Sequence, residues 1–267
     1  MCFRRVGAIV LRQFYLIRAS FSRLLPLFIW VGVDIILWGF LTRYLNSVTS
    51  ANFNFVPAML GAVLFWDFFI RIMQGVTMAF FEDVWARNFL NIFSTPISIR
   101  EYITGLILSS IASSSIGIAV MFVLAIAVFG LSFASYGLLV IPFLSVLFMF
   151  GIALGIAASA LVLRLGPAAE WFIWPIPAII SPFVGVLYPI AILPKWMQAI
   201  SPLLPPSYVF ESLRNIVLGR DVSWAGLLWS TVLAAVYIFL AFLLFALTYK
   251  HAVRTGLIAR YSAESLS

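Results

Sequence analysis

Charge is scarce in this chain: Asp, Glu, Lys and Arg make up 9% of 267 residues, while hydrophobic residues make up 64%. Soluble domains are about one-quarter charged, so a water-soluble fold is excluded. Cysteine is limited to Cys2 and histidine to His251. One cysteine leaves no intrachain disulfide to build, and no Cys/His cluster offers a metal site. The lone histidine follows the last apolar stretch in a basic tail, where it reads as a snorkelling side chain rather than as half of a Ser/His catalytic pair. Only two lysines occur, Lys195 and Lys250. Neither follows a G-x-x-x-x-G approach, so the phosphate-cradling P-loop is missing and ATP hydrolysis is not assigned to this polypeptide.

What the chain has is length in apolar runs. About 20 apolar residues cross a bilayer core, and six stretches qualify: Leu24 to Leu45, Phe55 to Phe80, Ile103 to Phe129, Gly137 to Leu163, Trp171 to Ile192 and Trp224 to Tyr249. The expected fold is an all-α membrane protein with six transmembrane helices in one domain, residues 24–267. Ahead of it, in residues 1–23, Arg4, Arg5, Arg12, Arg18 and Arg23 alternate with Phe, Leu, Ile and Tyr, a pattern that predicts an amphipathic helix along the membrane surface. The first apolar stretch is too long for a signal peptide and lacks a small-residue cleavage site, so it reads as a retained anchor.

Basic residues set the orientation. With the amino end in the cytoplasm, those five arginines join Arg87, Arg100, Arg164, Lys250, Arg254 and Arg260 inside, leaving Arg43, Lys195, Arg214 and Arg220 outside. The positive-inside rule then puts both termini in the cytoplasm. The net charge of +7 is accounted for by these flanks, so nucleic acid is not an expected partner.

Two connections are longer than a turn. On the inner side, Glu82 and Asp83 are expected at the positive end of a short helix, Val84 to Phe93, terminated by Pro96. Ser98 and Glu101 have the spacing of a capping box opening the third span. On the outer side, Ile190 to Ser223 carries Pro194, Pro202, Pro205 and Pro206 among Leu, Ile, Val, Trp and Phe. It is too broken to span. Ser207 is the expected N-cap and Gly219 the expected C′ residue of a short helix, Tyr208 to Leu218, with Glu211 in its first turn. Short helices dipping into the outer leaflet fit this mixture, provided that protein or water shields their loop backbone.

Ionisable residues inside the spans are the first candidates for function. Asp34 lies in the first span, and Asp67 and Arg71 lie one turn apart in the second, where each costs about 2.5–3.5 kcal/mol at a helix centre. They are expected to face protein or water. Asp67 and Arg71 share a helix face and can pair; Asp34 can alternatively reach Arg71 across two helices. Pathway or gate residues are the second reading of the same group, with Glu82 and Asp83 as cytoplasmic gate candidates. Ser109, Ser110, Ser113, Ser114 and Ser115 share the third span with Gly105 and Gly117, a small-residue pattern that favours close helix packing over nucleophilic chemistry. Most of the nine tryptophans lie near the ends of apolar stretches, as interface anchors do.

Taken together, the two connections resemble those of the membrane subunits of bacterial ABC-2 type transporters, and the resemblance spans nearly the whole chain. Trp85 to Arg100, WARNFLNIFSTPISIR, is similar to the family's cytoplasmic coupling segment. Gly185 to Arg214, GVLYPIAILPKWMQAISPLLPPSYVFESLR, is similar to its pattern of aromatic-Pro, L-P-x-W, S-P, P-x-x-Y and a closing Arg. The resemblance implies a permease working as a homodimer with two separate ATPase subunits, which would use ATP and Mg, while this chain binds no cofactor. Carried over by position, Trp85, Arg87, Asn88, Leu90, Phe93 and Pro96 form the ATPase-coupling segment. Pro189, Pro194, Trp196, Pro202, Pro206, Tyr208 and Arg214 form the outer re-entrant loop. Export of a hydrophobic or amphipathic substrate across a bacterial inner membrane, in contact with its lipid, is the implied activity. Polysaccharide exporters of the family carry a Tyr-Arg and L-G-x-x-W signature before the first span; FYLIRASFSRLLPLFIW stands there instead. That departure lowers a capsule or O-antigen cargo without removing it, and drug, lipid and lipo-oligosaccharide cargoes are comparable expectations. An intramembrane enzyme acting on lipid or lipid-linked sugar is the alternative from another class. It calls for clustered carboxylates at one face, which only Glu82, Asp83 and Glu101 supply.

Overall fold

A computed structural model describes residues 2–18, 21–48, 56–86, 91–92, 94–131, 133–166 and 169–256. These residues form helices, turns and no strand. Helix α1 spans Phe3–Arg18 and α2 Phe21–Val48. A π-helical turn, Val56–Leu60, leads into α3, Gly61–Trp85. Then come α4, Ile99–Phe129, and α5, Val140–Leu165. Short pieces follow: α6 at Glu170–Ile173, α7 at Ile176–Val184, α8 at Lys195–Ile200 and α9 at Pro205–Val217. Helix α10, Trp224–Arg254, is the last described helix.

Among the described residues, four helical stretches are long and apolar enough to cross a membrane: Ala58–Val84, Ile99–Phe129, Tyr136–Leu165 and Trp224–Arg254. They correspond to the second, third, fourth and sixth expected spans. The first expected span lies within α2, whose 28 residues reach about 42 Å. Because α1 ends at Arg18, Phe21–Arg23 belong to α2 and not to the surface helix expected over residues 1–23. The fifth expected span differs most. Trp171–Val184 is a shorter apolar helix, interrupted by a turn at Trp174 and Pro175 and ended by Gly185 in the left-handed region at φ 67°. Pro175, Pro177 and Pro182 remove backbone donors along it, and the left-handed Gly185 terminates the helix.

Helix α3 is the core of the bundle, with 72% of its apolar stretch buried against 22% for that of α10. It packs along α5, which in turn packs along α10. The α3–α5 seam is built on glycine. A Cβ at Gly155 would lie 2.8 Å from the Met73 carbonyl oxygen, and one at Gly151 would lie 3.1 Å from that of Phe69. This small-x-x-x-small pair lets the two backbones touch. Aromatic rings fill the space around the seam: Phe69 stacks on Phe150 at 5.6 Å, and Phe80 meets Phe245 edge-on at 5.7 Å. Helix α4 joins the other side of α3, where Ser110 Oγ donates to the Ile72 carbonyl at 3.3 Å and Ser114 Oγ to that of Arg71 at 3.4 Å. Ser110 and Ser114 of this span are thus placed at the helix contact, while Ser115 is exposed.

Candidate functional site

Three polar constellations interrupt the apolar bundle. The first sits where α1 meets the end of α3 and the start of α4. Glu82 and Asp83 lie in the last turn of α3, not at the start of a separate helix, because α3 continues to Trp85. Carboxylates are disfavoured by the dipole at a helix C-terminus, so Asp83, fully buried, needs other partners. The Tyr102 hydroxyl donates to its Oδ2 at 2.6 Å, and an Arg12 guanidinium nitrogen lies 2.5 Å from its Oδ1. The Arg12 contact is charge against charge and lacks hydrogen-bond alignment, since Oδ1 accepts no directed bond.

One turn away, Ser98 and Glu101 form the expected capping box: Ser98 Oγ accepts from the Glu101 N–H and Glu101 accepts from the Ser98 N–H at 2.9 Å. The same carboxylate also accepts from the Cys2 N–H at 2.6 Å and lies 3.5 Å from Arg5. Two acidic residues at the ends of the 86–98 connection thus hold α1 through Arg12 and Arg5. Sequence reading placed both arginines on a surface helix and missed their partners, since neither contact follows from local spacing.

The coupling-segment candidates are only partly visible. Trp85 is the last residue of α3, and Pro96 is exposed in a bend. Arg87, Asn88, Leu90 and Phe93, together with the Trp85 side chain, lie outside the described residues. Asn91 and Ile92 are helical.

The second constellation is intramembrane. Asp34 of α2 and Asp67 and Arg71 of α3 are close enough for their charges to act on one another. Asp67 Oδ2 is buried with no hydrogen-bond partner among the described residues. Arg71 lies against α4, its Nη1 3.6 Å from where a Gly117 Cβ would stand.

The third is the outer loop. Pro189, Pro194 and Pro202 are exposed, and the first two cap short helical turns. Trp196 is 61% exposed but keeps a ring contact with Phe183 at 5.8 Å. Helix α9 begins at Pro205, with Pro205 and Pro206 in its first turn and Leu204 as N-cap. Ser207 is therefore inside the helix, bonding back to the Leu204 carbonyl at 2.7 Å, and Glu211 falls in the second turn. Proline at the first position explains the earlier start, because its missing N–H is not required there. Gly219 is in the left-handed region, with the Gly219 N–H bonded to Ile216 and the Arg220 N–H to Asn215, a Schellman ending.

Arg214 ties the loop together. Its Nη2 donates to the Gly185 carbonyl at 2.7 Å and its Nη1 to Glu211 at 3.1 Å, while Glu211 also accepts from the Ile190 N–H at 2.8 Å. Burial lowers the Arg214 pKa from its ordinary value and Glu211 opposes that shift. Ser201 Oγ donates to the Phe183 carbonyl at 2.6 Å, and Tyr208 Oη to that of Pro202 at 3.1 Å. The broken backbone is thus satisfied by the loop's own side chains, some of them bonding back to the helix end at Phe183 and Gly185.

No curated protein matches this sequence. The sequence profile of a family described as ABC-2 family transporter protein matches residues 21–247. That match starts at the first residue of α2 and takes in both long connections and most of α10. Members of such a family are membrane subunits that carry out transport in association with an ABC ATPase. With four long apolar helices among the described residues, α3 the most buried of them, and a family match covering most of its length, the chain is a multi-pass membrane protein belonging to the ABC-2 transporter family.

Proposed function

We propose that the chain is the permease of an ATP-driven exporter that moves a lipid, drug or glycolipid/oligosaccharide-type substrate outward at the interface of two permease copies. ATP and Mg are used by separate ATPase subunits, which dock on residues 84–100 through Trp85, Arg87, Asn88, Leu90, Phe93 and Pro96. Both termini face the cytoplasm of a bacterial cell, and the second permease copy is identical.

The observation that carries this reading is the pair of acid clamps at the ends of the 86–98 connection. Asp83 holds one end to Arg12 and Tyr102, and Glu101 holds the other to Ser98, Arg5 and the Cys2 backbone. A connection anchored at both ends passes a push into α4 and α1, which shift against α3, instead of absorbing it. At the opposite face, Arg214 and Glu211 give the exit side a fixed shape. Asp34, Asp67 and Arg71 lie between the two as gate residues.

The test is co-purification of the tagged chain with the ABC ATPase encoded beside it, followed by hydrolysis measured with candidate lipids, drugs and glycolipids. Association that Arg87→Glu abolishes, together with substrate-stimulated hydrolysis, is the expected result. Failure to recover any ATPase with the chain would overturn the reading.

A further inference from the structure

Helix α1 has two faces with different chemistry. Val6, Ile9 and Gln13 are buried, and the contact with α4 is close: a Cβ at Gly105 would lie 2.7 Å from Ile9 Cβ. On the other side Phe3, Leu11, Phe14 and Tyr15 are exposed, Phe3 at 87%, and Arg4 and Arg18 stand exposed among them. The helix contains no acidic residue. Of its four arginines, Arg5 and Arg12 face Glu101 and Asp83, whereas Arg4 and Arg18 have no acidic partner among the described residues. The outward face is thus aromatic and positively charged, with nothing of its own to balance it.

The depth of α1 decides what that face meets. Helix α4 has 31 residues, about 46 Å, which matches a bilayer of about 40–45 Å including headgroups. Gly105 lies about 9 Å along it from Ile99. A headgroup layer is about 5–8 Å thick on each side, so Ile9 sits at the boundary between headgroups and acyl chains. A soluble subunit would approach from the water side of that layer. An amphipathic helix at this depth buries aromatic side chains among the chains and directs arginines to phosphates.

We propose that the outward face of α1 is a binding surface for anionic phospholipid headgroups, with Arg4 and Arg18 holding the phosphates and Phe3, Leu11, Phe14 and Tyr15 seated in the adjoining chains. The surface stands independently of the ATPase reading, since it rests on the placement of α1 alone. Its consequence is that the lipid charge of the leaflet bears on the same helix that the two acid clamps hold.

The exposed single cysteine, Cys2, gives a local reporter. The full chain is labelled there with an environment-sensitive fluorophore, placed in phosphatidylcholine nanodiscs, and titrated with increasing mole fractions of phosphatidylglycerol. The expected result is a saturable spectral shift that Arg4→Gln and Arg18→Gln each weaken roughly five-fold. The double variant should lose it, Arg4→Lys with Arg18→Lys should keep it, and high salt should suppress it. A phosphatidylglycerol response of wild-type strength in the double glutamine variant would overturn the proposal. So would a shift produced in pure phosphatidylcholine by adding the ATPase subunits, which would assign the face to protein.

Discussion

The inner junction and the outer loop both join spans without crossing the membrane, yet they are held by different kinds of bond. At the junction, side-chain charges from distant parts of the chain meet: Arg12 with Asp83, Arg5 with Glu101. In the outer loop, most bonds run from a side chain to a nearby backbone carbonyl, as Ser201 to Phe183, Gln198 to Leu193 and Tyr208 to Pro202 show. A carbonyl network over short sequence distances fixes one shape. Charge contacts between separate helices hold two bodies that can part as units, which is what a junction that moves requires.

The largest effect expected from breaking this contrast is at Arg12. Arg12→Leu leaves Asp83 buried with Tyr102 as its remaining partner, a loss of about 3–5 kcal/mol in unfolding of the detergent-solubilised chain. Arg12→Leu combined with Asp83→Leu recovers most of it. If the double variant is as unstable as the single one, the contact is not what holds α1. In the outer loop, Arg214→Gln removes a charged donor from Gly185 and Glu211 and costs about 2 kcal/mol. Faster amide exchange should then be confined to residues 185–193, and Arg214→Lys should not restore protection, because an ammonium lacks the guanidinium fork. Exchange spreading into α3 would show that the loop is not a separate unit. The smallest effect is at Ser98: Ser98→Ala costs about 1 kcal/mol through loss of the N-cap, and Ser98→Asp should retain the stability. Equal stabilities for the alanine variant and the wild type would remove the capping box from the account of the junction.

Features set by neighbours in sequence were legible in it. Ser98 and Glu101 cap α4 as their spacing requires, and Gly219 ends α9 in the left-handed conformation. Four expected spans fall on the four long apolar helices to within a few residues. What could not be read was set at a distance or by competition between local signals. Asp83 looked like a helix-start residue because its acid group suits an N-terminus. Arg12 and Tyr102 instead pair with it at a C-terminus. Ser207 looked like an N-cap, but the two prolines before it start the helix first. The apolar content of Trp171 to Ile192 resembled a span, while its prolines and Gly185 divided it. The Gly151 and Gly155 seam also escaped notice, since two glycines in an apolar run do not name the helix they touch.

That seam has a mechanical consequence. With Gly151 and Gly155 set against carbonyls of α3, sliding α5 along α3 would drive side chains into backbone within a single residue's rise. The two helices therefore act as a stator. The parts that meet this pair through hydrogen bonds and a charge contact, α4 at Ser110 and Ser114 and α1 at Arg12 and Asp83, are the ones left to move against it.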